Sequence, residues 1–86
     1  GLEAAVLARV AALGRSDPAA LDDGTLYSRV IAEVERPLIR AMLARYGGNQ
    51  LRAAKALGLN RNTLRKRLDD LAIEAELSGR GKASTR

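Results

Sequence analysis

Seven basic side chains and no acidic one lie between residues 45 and 67: Arg45, Arg52, Lys55, Arg61, Arg65, Lys66 and Arg67. The flanks lack this bias. Residues 1–44 hold five basic and six acidic groups, and residues 68–86 hold three and four, so one local block carries the net charge of +5. A short segment of one sign is the footprint of a polyanion-binding face, because guanidinium and ammonium groups donate charge-assisted hydrogen bonds to phosphate oxygens. The competing reading of such a run is a solvated helix surface.

Other chemistries are poorly supplied. The chain has no histidine and no cysteine, which removes the usual general base, the best nucleophile and the common zinc ligands. Neither glycine-rich phosphate loop, Gly-x-x-x-x-Gly-Lys or Gly-x-Gly-x-x-Gly, occurs. The local carboxylate pairs, Asp22–Asp23 and Asp69–Asp70, are sequence neighbours and point to different faces. The expectation is a protein that is not an enzyme and takes no metal or cofactor. The apolar start "GLEAAVLARVAALG" is broken by Glu3 and Arg9 and is far shorter than a membrane span.

The elements that must position the basic block follow from periodicity. Leu2, Val6, Val10 and Leu13 predict a helix over 2–13, ended by Gly14. "GRSDPAALDDGT" reads as a loop, with Asp23 or Thr25 capping the next helix. That helix spans 26–46 and continues across Pro37, which interrupts a hydrogen bond without ending the apolar pattern. Its stripe includes Val30, Val34, Leu38, Ile39 and Met42, wider than one neighbour needs, and predicts burial on two sides, one of them against a partner subunit. These five residues are the expected dimer interface, and Tyr27 and Tyr46 are read as interface core. Eighty-six residues without disulfides make oligomerisation the remaining common route to stability.

Two short helices follow Gly47-Gly48. Asn49 caps "QLRAAKAL", Gly58 closes it, and Asn60 caps "RNTLRKRLDDL". On a wheel of about 100° per residue, Leu64, Leu68 and Leu71 share a narrow core stripe. Asn62 and Lys66 face away, with Arg61 and Arg65 on one flank. Ala53-Ala54, Gly58 and the surrounding leucines supply the small residue, the turn and the apolar contacts of a helix-turn-helix, whose second helix enters a major groove. Arg67 departs from the pattern, because the position before Leu68 is usually apolar there. Arg61 is the expected base reader, bidentate to guanine; Asn60 is first a cap and second a reader, and Asn62 a further reader. The tail from 72 to 86 has no apolar anchor and is expected to be disordered.

The stretch "LYSRVIAEVERPLIRAMLARYGGNQLRAAKALGLNRNTLRKRL" resembles the Fis family and, within it, the C-terminal module of NtrC-type response regulators, which activate sigma-54-dependent transcription. The Asn-Arg-Asn-Thr-Leu-Arg-Lys run and short polar tail resemble the alphaproteobacterial members. The resemblance covers about residues 26–68 and implies an all-α, Fis-like homodimer. In it, residues 1–46 build a four-helix dimerisation bundle and residues 47–71 a helix-turn-helix. By the same resemblance, Asn60 and Arg61 reach base edges, and Asn49, Gln50, Arg52, Thr63, Arg65 and Lys66 hold phosphates of a pseudo-palindromic duplex. The implied setting is the bacterial cytoplasm, at the nucleoid, with RNA polymerase holoenzyme met through the full-length regulator. The opening Gly in place of Met points to a fragment of such a regulator; a free-standing DNA-bending protein is the alternative. Two other classes stay open from the residues alone, an RNA-binding helix pair and a purely dimerising module.

Overall fold

Four α-helices and one 3-10 turn make up the computed structural model, which describes residues 1–72: α1 (Leu2–Ser16), the turn Pro18–Leu21, α2 (Leu26–Arg45), α3 (Gln50–Leu57) and α4 (Arg61–Leu71). The described residues are all-α, as the periodicity predicts. They divide into two compact units, one of Gly1–Val34 and one that begins at Glu35, with the division inside α2. The expected disorder of 72–86 lies, beyond Ala72, outside the described residues.

In the first unit the sequence expectation for Gly14 needs correction. The helix does not stop there but runs to Ser16, and the Asp17 N–H closes it on the Leu13 carbonyl at 2.8 Å. Gly14 serves packing instead. A Cβ at this position would stand 3.0 Å from Leu21 Cδ1, so the missing side chain lets the 3-10 turn lie against α1. That turn replaces part of the expected loop: Pro18 presets its first φ, and Ala20 is buried in it, as Leu13 is in α1. Asp23 supplies the side-chain oxygen before α2, accepting from the Thr25 N–H at 2.9 Å and hydroxyl at 2.6 Å. Those bonds hold its carboxyl below the usual carboxylate range. Arg9 pairs with Glu33 at 2.8 Å and Arg29 with Asp17 at 3.3 Å; both pairs are exposed and contribute little.

The second unit holds the larger core: Ile39 and Leu43 from α2, Ala53 and Ala54 from α3, and Leu64, Leu68 and Leu71 from α4. The stripe read from the wheel is therefore the buried face of α4, each leucine contributing about 1.5–3 kcal/mol of apolar burial. Helix α2 is continuous across Pro37. It ends where the Gly48 N–H reaches the Leu43 carbonyl at 2.8 Å and Gly47 that of Ala44 at 3.2 Å.

The expected interface residues separate in this unit and the one before it. Ile39 is 2 % exposed inside the chain's own core, so the wide stripe of α2 has an intrachain neighbour as well as an uncovered side. Leu38 is 49 % exposed, and Val30, Val34 and Met42 are half-buried. Tyr27 is 78 % exposed in the single chain.

Candidate nucleic-acid interface

Helix α3 and helix α4 are held at a defined joint by backbone bonds that their sequences dictate. The Asn49 side chain accepts from the Arg52 N–H at 3.0 Å and starts α3. At its other end Gly58 takes φ 79°, ψ 25°, a left-handed conformation that costs a residue with a Cβ about 1–2 kcal/mol. With that conformation the Gly58 N–H reaches the Lys55 carbonyl at 3.1 Å, and the Leu59 N–H reaches that of Ala54 at 2.8 Å. This is the paired closure of a Schellman motif. Two residues later Asn60 is extended, and its side chain accepts from the Asn62 N–H at 2.7 Å. One glycine and two asparagines thus set the angle between the helices. The fully buried Ala53, Ala54 and Leu64 fill the space the joint leaves.

This joint leaves a charged face outside. Arg61, Asn62, Thr63, Arg65 and Lys66 are all exposed along α4, and Asn49 and Arg52 are exposed on α3, with Gln50 half-buried. Asn60 has the cap role read from its sequence position, and its side-chain oxygen is engaged there. Among the described residues, Arg52, Lys55, Arg61 and Arg65 have no carboxylate within ion-pair distance. Lys66 Nζ lies 3.6 Å from Asp70, one turn along the helix.

Arg67 belongs to a different face. Its guanidinium binds Glu35 of α2 through two nitrogens and Asp70 at 3.1 Å, and the Glu35 hydrogen bonds raise its pKa above the ordinary arginine value. The residue that breaks the apolar pattern before Leu68 is therefore a strut between α2 and α4. Arg36 adds a second tie, donating to the Leu71 carbonyl at 3.4 Å.

Two features of the face were not legible beforehand. A shallow cavity of about 560 Å³ is lined by Leu51, Arg52, Ala54, Lys55, Leu59 and Arg61, and so joins α3 to the first turn of α4. Lys55 was counted in the basic block but not among the expected phosphate contacts. Tyr46, read as interface core, carries two guanidinia on its ring in the single chain: Arg52 at 5.2 Å and Arg45 at 5.7 Å from the centroid. Nothing in its spacing signalled this.

Chemically the arrangement is a helix pair whose outer surface carries guanidinium and ammonium donors, groups that bind polyanions. Among the described residues no helix is long and apolar enough to cross a membrane.

Known proteins carry similar segments. Residues 30–71 match the family of bacterial regulatory proteins of the Fis type. The chain is 57 % identical over 54 residues to the DNA-binding transcriptional regulator NtrC of Bradyrhizobium sp. (strain RP501 Parasponia), covering 63 % of this chain and 11 % of that protein. It is 61 % identical over 49 residues to NtrC of Azospirillum brasilense, covering 57 % and 10 %. Against the DNA-binding protein Fis of Proteus vulgaris it is 51 % identical over 47 residues, covering 55 % of this chain and 50 % of that one. The chain thus spans about a tenth of these NtrC proteins and half of Fis. No solved structure is significantly similar to it. The matched segment takes in the α2 stripe from Val30 onward, the Asn49 and Asn60 caps, the Gly58 turn and the buried leucines of α4. Residues 30–71 therefore form a helix-turn-helix DNA-binding domain of the bacterial regulatory protein Fis family.

Proposed function

We propose that the chain binds a pseudo-palindromic DNA site as a homodimer and serves as the DNA-binding end of an NtrC-type transcriptional activator. The observation that carries this reading is the division of labour on α4. Leu64, Leu68 and Leu71 dock the helix, Arg67 is neutralised by Glu35 and Asp70, and Arg61 and Arg65 remain outward without a carboxylate partner among the described residues. Such a helix reads bases from its first turn and holds phosphates along its flank. Arg61, Asn60 and Asn62 take the base edges, and Asn49, Gln50, Arg52, Thr63, Arg65 and Lys66 the backbone. The regulator acts at the bacterial nucleoid and meets RNA polymerase through segments beyond these 86 residues. A receiver and an ATPase domain encoded before Gly1 would support this; their absence favours a free-standing Fis-like protein.

Arg61→Ala tests the reading role. Against an operator it is expected to cost about 1–3 kcal/mol per half-site, with a smaller loss on a scrambled duplex of equal length. Circular dichroism should be unchanged, because the substitution leaves the core leucines of α4 in place. Equal losses on both duplexes would move Arg61 to the phosphates and leave Asn60 or Asn62 as the reader.

The homodimer is supported by apolar surface that one chain leaves open: Leu2, Leu7, Leu21 and Tyr27 in the first unit and Leu38 in the second. Sedimentation equilibrium at micromolar concentration is expected to give twice the chain mass. A stable folded monomer would remove the four-helix bundle from the proposal. Preference for duplex RNA over duplex DNA in competition would replace it with the RNA-binding reading.

A further inference from the structure

Helix α2 ends and α3 begins around the Gly47-Gly48 turn, and Tyr46 stands at that corner. Its ring holds Arg52 at 5.2 Å and Arg45 at 5.7 Å. The π face attracts a guanidinium electrostatically. The five N–H donors of arginine lie in the guanidinium plane, so a ring contact orients the group without using up its donors. Beside the ring is a concavity of about 250 Å³ lined by Tyr46, Arg52, Lys55 and Ala56. Its lining has two cations and no carboxylate, and Arg52 and Lys55, three residues apart, share one side of α3. The same two side chains also line the larger cavity that reaches Arg61. Cationic groups therefore run without a break from the first turn of α4 to the α2–α3 corner.

We propose that the Tyr46–Arg52–Lys55 concavity is a second phosphate seat, which holds the DNA backbone flanking the bases faced by α4. Lys55 and Arg52 contact the phosphate, and Tyr46 is a positioning residue that keeps the guanidinium of Arg52 turned toward it. The inference rests on the DNA-binding reading above and extends it along the duplex. Continuity with the cavity that ends on Arg61 is what assigns the seat to the same duplex.

The test compares wild type, Tyr46→Phe, Tyr46→Leu and Lys55→Gln, each as the 86-residue chain. Each is titrated with two duplexes of one operator, one trimmed to the half-sites and one carrying about one extra helical turn on each side. On the longer duplex Tyr46→Leu is expected to lose about two- to fivefold in affinity per half-site, the effect of one exposed cation–π contact. Tyr46→Phe, which keeps the ring, is expected to bind as wild type does. Lys55→Gln should flatten the salt dependence by about one per chain. On the trimmed duplex all four should bind alike. Lys55 is exposed, so its variant retains the fold even if Tyr46→Leu loosens the corner, as thermal melting would show. Equal losses on both lengths would place the ring in the stability of the helix pair and overturn the seat, and so would unchanged binding of Tyr46→Leu and Lys55→Gln on the longer duplex. Failure of wild type to bind any duplex would instead overturn the DNA-binding reading beneath it.

Discussion

Raising the salt concentration from about 50 to 200 mM is expected to weaken binding to duplex DNA by about 10³–10⁵-fold. The cause is counterion release: each phosphate neutralised frees condensed cations, and the gain shrinks as bulk salt rises. Arg45, Arg52, Lys55, Arg61 and Arg65 have no carboxylate partner among the described residues, and Lys66 has only a surface contact with Asp70 at 3.6 Å. If the proposed dimer neutralises about 6–10 phosphates, the log–log slope is expected to be about −5 to −9. Lys66→Ala should flatten that slope by about one to two per dimer on specific and random duplex alike. Arg67→Ala, in the same helix, should leave it nearly unchanged, because Glu35 and Asp70 already answer that charge. Fluorescence anisotropy titrations across a salt series measure all three. A slope near zero for wild type would detach the basic block from the phosphates.

Leu64→Ala is expected to lower the unfolding free energy by about 2–5 kcal/mol, the range for deleting a buried leucine side chain from a packed core. Leu64 is 0 % exposed and is one of the two largest side chains buried to this degree. A domain of ordinary size has only about 5–15 kcal/mol in all. The loss therefore reaches function as well as fold: once α4 undocks, the exposed cations of α3 and α4 no longer share a surface. Urea unfolding followed by circular dichroism should show an earlier midpoint with an unchanged slope. Leu59→Ala provides the contrast, since Leu59 is 36 % exposed and its truncation leaves a smaller void. If the two substitutions cost the same, the packing of the α3–α4 joint does not centre on Leu64.

Much of the helix-turn-helix was legible because its determinants act within a few residues. An asparagine caps the N–H two or three positions ahead, as Asn49 and Asn60 do. A glycine closes a turn through carbonyls three residues back from itself and five back from its successor, as Gly58 does with its neighbour Leu59. The buried stripe of α4 repeats at helical spacing, and its exposed face follows from the same geometry. The misread helix end had a distant cause. Gly14 carries the mark of a helix end, yet the pressure on it comes from Leu21, which folds back against α1. The burial of Ile39 within its own chain likewise depends on the packing of the second unit, which periodicity does not show.

By itself, then, the amino-acid sequence determined an all-α chain with a helix-turn-helix, its caps, its turn and an acid-free basic block. Each of these depends on backbone geometry or charge within one or two helical turns. Tertiary structure alone decided which cation of the basic block is paired with a carboxylate of another helix. Arg67 and Lys66 are adjacent and equally basic, but Arg67 is bound by Glu35, 32 residues earlier in the chain. Arg52 likewise acquires its place on the Tyr46 ring only when α2 and α3 meet at the glycine turn. A side chain's charge is local, whereas the partner that neutralises or aims it is brought near by the fold.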